Sequence, residues 1–335
     1  MATFPLIFLL AGAFAPGKFA ATPLRAPAVR PPSATVPASM DSLKASIGRR
    51  VAEVKDAVVG VAFHDLASGN SLYVNADDSF HAASTMKVPV MIELFRRIDA
   101  GKLRLDQEIP LVNQFSSIVD KSPYALNPGD DSDSAAYLRV GSKVSVKELI
   151  DHMITRSSNL ATNALIELVG ADKANATAHA LGAKNIKVLR GVEDDKAFQA
   201  GLNNTTTARD LAVLLEAIET DRAASKKSCD TMRDILLHQE FNDDIPAGLP
   251  PGTPVAHKTG WITGVLHDAA IVYPPNRKPY VLVVLTRAIP DEKVARALIA
   301  DISRLVYAAT VPGGAHAAGT TDDAVAQASD NPDVR

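Results

Sequence analysis

His81-Ala82-Ala83-Ser84-Thr85-Met86-Lys87 leads into a segment where Val88, Met91, Ile92, Phe95 and Ile98 recur at steps of three and four, and Gly101 stands where a helix C-terminus favours a left-handed residue. This spacing predicts a helix from Thr85. If Ser84 opens that helix, Lys87 lies one turn above it on the same face, within reach of the hydroxyl. A serine hydroxyl is a poor nucleophile until a base takes its proton, and a lysine is that base only when desolvation or a neighbouring cation lowers its pKa. Free N–H groups at a helix N-terminus would also stabilise developing negative charge. Ser84-Thr85-Met86-Lys87 is the sole S-x-x-K of the chain. The pattern is short enough to arise by chance, and a plain helix N-cap at Ser84 explains it equally well when it is taken alone.

Outward from this helix the hydrophobic period changes in an informative order. Asp41 to Ala57 reads as helix, and Val58 to Leu66 with Ser71 to Val74 reads as a hairpin around Ser68-Gly69-Asn70. Helical spacing returns at Val146, Leu149, Ile150, Met153 and Ile154. It breaks at Ser157 to Asn159, resumes from Leu160 to Val169, stops at Gly170, and recurs at Ala171 to Leu181 and Thr207 to Glu219. Val255 to Gly260, His267 to Tyr273 and Tyr280 to Thr286 are short β-branched runs, and Asp291 to Ala308 closes with a helix. Two strands at one end, three at the other and helices between them predict an α/β (α+β) fold. In it, a five-stranded antiparallel sheet flanked by helices stands beside an all-helical lobe. Ligands favour the crevice between two such lobes.

Composition narrows the chemistry. The chain has 335 residues, 47% hydrophobic and 22% charged, and its 35 Lys+Arg against 38 Asp+Glu leave no basic surplus for nucleic acid. The eight histidines show no zinc-ligand spacing, so no metal or cofactor is expected. The one cysteine, Cys229, lies in Ser225-Lys226-Lys227-Ser228-Cys229-Asp230, which reads as an exposed polar turn. Phe4 to Ala15 is an apolar run of signal-peptide length ending in Ala13-Phe14-Ala15, though no basic residue precedes it. Export to the periplasm or medium is the expectation, with no stable membrane span in the mature chain. An apolar N-terminus without a targeting role is the alternative. The division follows: residues 1–40 as a signal-like segment and Pro/Ala-rich linker, 41–311 as the folded domain, and 312–335 as a solvated, disordered tail.

Two further motifs fall where this architecture opens a cleft. Ser157-Ser158-Asn159 occupies the break between two helices, so it can aim a hydroxyl and an amide into the cleft; helix capping by Ser158 or Asn159 is the bland alternative. Lys258-Thr259-Gly260 ends a predicted strand and offers a cation, a hydroxyl donor and room for a substrate backbone. The order S-x-x-K, S-x-N, K-T-G is the active-site set of class A β-lactamases and penicillin-binding proteins. Over Asp41 to Ala308 the chain resembles the class A serine β-lactamase family. Met153-Ile154-Thr155-Arg156 before the second motif, Thr205-Thr206-Thr207-Ala208-Arg209-Asp210-Leu211, and His267-Asp268-Ala269-Ala270 after the third add to the likeness.

The resemblance implies a serine hydrolase acting on small β-lactam substrates as a monomer. Ser84 would attack the ring carbonyl, and the N–H groups of Ser84 and Trp261 would form an oxyanion hole whose donors are worth ~3 to 4 kcal/mol each. Lys87 or Glu193 would take the serine proton, Ser157 would pass a proton to the leaving nitrogen, and Asn159 would hold Lys87 and the substrate amide. Lys258, Thr259 and Gly260 would bind the substrate carboxylate and backbone, and Glu193 would activate the deacylating water. Several positions depart from the family pattern. Ser158 replaces the motif's middle Asp, Ala197 stands where a water-holding Asn is usual, and Asn204 stands where an Asp commonly braces the loop. Asp194 and Asp195 rival Glu193, and all three as a solvated acidic turn is the plain alternative. Asn113 to Val140 is longer than the family needs; it is expected to be a surface insertion, with a rim carrying Tyr124 or Tyr137 as the other reading. Two other functions remain open: a DD-peptidase-like or penicillin-binding acyltransferase that deacylates slowly, and a non-catalytic cell-envelope binding module.

Overall fold

The computed structural model describes residues 39–314. The signal-like segment, most of the proposed linker and nearly all of the C-terminal tail lie outside them. Five strands form one antiparallel sheet: β1 (Val58–Asp65), β2 (Ser71–Val74), β3 (Val255–Ile262), β4 (Val265–Val272) and β5 (Tyr280–Arg287), in spatial order β2-β1-β5-β4-β3. The first and last parts of the chain meet where β1 pairs β5, with Val61 opposite Val284. β3 is an edge strand, buried from Val255 to Gly260 and accessible at Trp261 and Ile262.

Period-two alternation divides this sheet between two cores. Val281, Val283 and Leu285 face the helical lobe, whereas Leu282 and Val284 face the terminal helices α1 (Met40–Ala52) and α9 (Glu292–Thr310). Strand β3 obeys the same rule: Ala256 belongs to the lobe-side core and Val255 to the other. Lys258 and Gly260, two and four residues beyond Ala256, therefore share the lobe-facing side.

The lobe is built around α2 (Lys87–Asp99), whose residues from Lys87 to Phe95 are all buried. Around it lie α3 (Val146–Thr155), α4 (Asn159–Val169), α5 (Ala171–Ala180), the short α6 (Asp195–Gln199), α7 (Ala208–Glu219) and α8 (Lys226–Leu237). The last of these corrects the expected turn at Cys229. Ser225 caps α8 by accepting the Ser228 N–H at 3.2 Å, and Cys229, Met232, Ile235 and Leu236 bury one face at helical spacing. The Cys229 thiol is fully buried, and burial pushes its pKa up. Among the described residues no helix is long and apolar enough to cross a membrane.

Candidate active site

Ser84 does not cap α2. It sits, half-buried, in a 3-10 turn, Ala83–Met86, that precedes Lys87, and no side chain caps this turn. The turn is anchored from three directions. Thr85 Oγ1 donates to Ala82 O at 2.6 Å, the Ala82 N–H donates to Asn204 O at 2.9 Å, and Phe80–His81 pairs with Thr205–Thr206. Behind it, the buried His267 ring contacts His81 O at 2.8 Å through Nε2. On the open side Gly260 of β3 lies so close that a Cβ there would stand 3.1 Å from the Ser84 nitrogen. Glycine is what allows the first and third motifs to touch.

Lys87 and Lys258 are both fully buried, and both reach the second motif. Lys87 Nζ donates to Ser157 O at 2.6 Å, to Asn159 Oδ1 at 2.9 Å and to Ser157 Oγ at 3.1 Å. Lys258 Nζ donates to the same Ser157 Oγ at 3.0 Å and to Thr259 O at 2.8 Å. One hydroxyl thus accepts from two amines and keeps its own proton to give away. Burial brings the Lys87 amine down to about 7, against the opposing pull of Asp131 and Glu193. Burial, and then the charge of Lys87, hold Lys258 well below the usual lysine range. A buried amine that titrates near neutrality is suited to moving a proton.

The fourth component is Glu193, whose Oε1 accepts from Asn159 Nδ2 at 2.5 Å. Asn159 therefore joins Lys87 to Glu193 through the two ends of one amide. Burial raises the Glu193 carboxyl above the ordinary carboxylate range; the Asn159 bond pulls it back, while Asp131 and Asp130 push it further up. Of the two rivals of Glu193, Asp194 is engaged elsewhere and Asp195 is exposed. Asp194 caps α6 at the Ala197 N–H (3.1 Å) and accepts Ser117 Oγ at 2.8 Å and the Ile118 N–H at 2.9 Å, while Asp195 lies in the first turn of α6. The acidic stretch is not a solvated turn throughout: Asp195 is exposed, but Asp194 is buried and Glu193 is half-buried. Asn204 braces the neck of this loop through its amide. Its Oδ1 accepts the N–H groups of Leu189 (2.8 Å) and Arg190 (3.2 Å), and its Nδ2 donates to Arg190 O at 3.0 Å.

The backbone is bent to achieve this convergence. Ala83, Ser157 and Glu193 have φ of 44°, 57° and 59°, a region that costs non-glycine residues about 1–3 kcal/mol each. At Ser157 the bend accompanies the carbonyl that Lys87 grips. Ser158, between the two functional positions, is fully buried and is the α4 N-cap, accepting the Ala161 N–H at 3.3 Å. Helix capping thus falls to the middle residue of the motif, while its two neighbours bind Lys87. Thr259 is nearly buried, whereas Trp261, beyond Gly260 on the open edge, is 56% exposed.

Asn113 to Val140 is more than a surface insertion. Besides holding Asp194, it places Lys196 Nζ against Asp120 Oδ2 (2.7 Å) and Ser122 Oγ (2.7 Å), and the Tyr124 hydroxyl donates to Val192 O at 3.3 Å. Its Ser132 Oγ donates to Arg156 O at 2.6 Å, beside Ser157. The segment thus buttresses both the Glu193 loop and the second motif. No apolar period marks it, because its partners lie far along the chain; the one sequence signal was its clustered Asp and Ser residues.

Residues 42–310 match the model of the beta-lactamase enzyme family. The β-lactamase AST-1 of Nocardia asteroides is 30% identical over 253 residues, covering 74% of this chain and 77% of its own. Among solved structures, a β-lactamase from Sphaerobacter thermophilus DSM 20745 is 28% identical with a TM-score of 0.69, covering 81% of this chain and 98% of its own. A mutant of PBP-A, captured as an acyl-enzyme complex with penicillin G, is 31% identical with a TM-score of 0.69, covering 82% and 98% respectively.

Proposed function

The chain belongs to the beta-lactamase enzyme family, and on that premise we propose that it hydrolyses β-lactam amide bonds through an acyl-enzyme on Ser84. The observation that carries this reading is the Ser157 hydroxyl held between two buried amines, one of which connects through Asn159 to Glu193. Ser84 Oγ attacks the lactam carbonyl and its proton passes to Lys87 or, through water, to Glu193. The carbonyl oxygen, now negative, takes N–H donors from Ser84 and from Trp261 on the open edge of β3. Ser157 then gives its proton to the departing lactam nitrogen, and the buried amines replenish it. Lys258 lends positive field to the substrate carboxylate, with Thr259 as the direct hydroxyl donor. Ring opening leaves an ester on Ser84, and Glu193 takes a proton from the water that cleaves it.

Trp261 brings bulk to the strand edge, and no Arg between Lys258 and Tyr273 supplements carboxylate binding, so activity on a narrow set of substrates is expected. Export belongs to the same reading and rests on the Phe4 to Ala15 run. The test is turnover of a chromogenic cephalosporin by the purified protein and by Ser84→Ala; equal rates for both refute the proposal. A second reading, acylation with slow release, is favoured by Ala197 at the position where a water-holding amide is usual. Intact-mass measurement separates the two. A long-lived adduct on the native protein marks slow release, whereas an adduct that persists only in Glu193→Gln marks hydrolysis.

A further inference from the structure

The first backbone N–H groups of a helix have no intrahelical acceptor. In α4 the cap residue Ser158 takes only that of Ala161. The N–H groups of Asn159 and Leu160 both go to one oxygen outside the helix, Asp131 Oδ2, each at 2.9 Å. The same oxygen accepts the Tyr137 hydroxyl at 3.0 Å, and Asp131 Oδ1 accepts the Asp133 N–H at 3.0 Å. Asp131 is only 6% exposed, and a buried carboxylate is tolerated only where such donors surround it. It is carried by the Asn113 to Val140 segment, and that segment is itself pinned nearby, where Asp133 Oδ2 pairs with His152 Nδ1 at 2.6 Å.

We propose that Asp131 is a positioning residue for the reaction: a buried carboxylate supplied by the long segment that fixes the backbone of Asn159 and, through its amide, Lys87 and Glu193. This rests on the reading of Ser84 as nucleophile given above. The placement also has an electrostatic consequence, because the charge of Asp131 opposes the downward shift of Lys87 and adds to the upward shift of Glu193. Other charged and titratable groups share this surrounding. Tyr137 faces Asp131 directly, Asp130 acts on Glu193, Lys258 faces Lys87 from β3, and His152 and Arg156 face Asp133.

The test compares Asp131→Asn, Asp131→Ala and, as a neighbouring charge removal, Asp130→Asn in the full chain. Two readouts are used: steady-state β-lactam hydrolysis against pH, and the titration of Lys87 followed by NMR of carbon-13-labelled lysine without substrate. Asp131→Asn keeps an oxygen for the two N–H groups and loses the charge. Its Lys87 midpoint moves below that of the native protein, and both limbs of the rate profile move to lower pH. Asp131→Ala loses the bonds too, and kcat falls ~100-fold, the order expected for ~1 Å of misplacement, with KM changed far less. Asp130→Asn leaves the Lys87 midpoint in place, because its exposed carboxylate acts on Glu193 and not on Lys87. An unchanged Lys87 midpoint in Asp131→Asn, or a native kcat in Asp131→Ala, overturns the proposal. A merely structural cap would lower stability without moving the Lys87 midpoint, and that result overturns it as well. If the native protein hydrolyses no β-lactam, the function assigned above fails while the Lys87 titration still decides the role of Asp131. If Asp131→Ala does not fold, the Asp131→Asn measurements decide.

Discussion

Gly260→Ala probes the contact on which the site's assembly depends. The added Cβ would stand 3.1 Å from the Ser84 nitrogen, 3.2 Å from Ala83 Cβ and 3.2 Å from Thr85 Cγ2, so these atoms must yield by a few tenths of an ångström. Gly260 lies within β3 and does not have a positive φ, so alanine strains no dihedral and the substitution isolates the steric contact. Overpacking of this kind costs about 1–3 kcal/mol. At ~2–4 °C per kcal/mol, Tm is expected to fall by about 5 °C. The displaced atom is an intended oxyanion donor. A shift of a few tenths of an ångström, scaled from ~100-fold per ångström, slows acylation ~3- to 10-fold, and loss of the donor raises this towards ~100-fold. The assay is stopped-flow acylation by a fluorescent penicillin alongside a thermal melt. An acylation rate within about twofold of native, with Tm unchanged, would show that β3 and the Ser84 turn do not touch as described.

Glu193→Gln is expected to deacylate at least ~100-fold more slowly, as loss of a general base requires, with acylation near native if Lys87 takes the Ser84 proton and slowed as well if Glu193 takes it; single-turnover mass spectrometry checks this, and an unchanged deacylation rate contradicts it. Asn159→Ala removes the hydrogen bond that holds Glu193 down. The Glu193 pKa then rises, its carboxylate form is lost at higher pH, and the acid limb of kcat/KM moves upward in a pH–rate series; a downward move refutes the assignment. Lys87 titrates at about 7 when folded and near ~10.4 when unfolded. Between these values the unfolded chain binds more protons, so native stability gains up to ~1.4 kcal/mol per pH unit from this group as pH rises. Lys87→Met abolishes turnover and removes that slope, so urea titrations at pH 7 and 9 should show a smaller stability gain in the variant than in the native protein.

Legibility followed the range of the interactions. The five-stranded sheet could be read because strand alternation is local, and α2 because Val88, Met91, Ile92 and Phe95 repeat at helical spacing. Ser84, Lys87, Ser157, Asn159 and Lys258 could be singled out as candidates through three short motifs, although nothing local says that Ser157 lies between two amines. α8 was missed because its mostly polar face conceals Cys229, Met232 and Ile235 at their three-residue steps. Glu193 could not be separated from Asp194 by sequence: what distinguishes them is that Ser117 and Ile118, far upstream, claim one and Asn159 claims the other. Asp131 was concealed for the same reason, since its role comes from N–H groups 28 and 29 residues away.

The most direct measurement is intact-protein mass spectrometry of the native chain, Ser84→Ala and Glu193→Gln after mixing with a penicillin, followed by peptide mapping. A transient adduct on the native protein, a persistent one on Glu193→Gln mapped to the peptide containing Ser84, and none on Ser84→Ala is the expected result. No adduct on any of the three, or an adduct carried equally by Ser84→Ala, would contradict the assignment of this cleft to β-lactam hydrolysis.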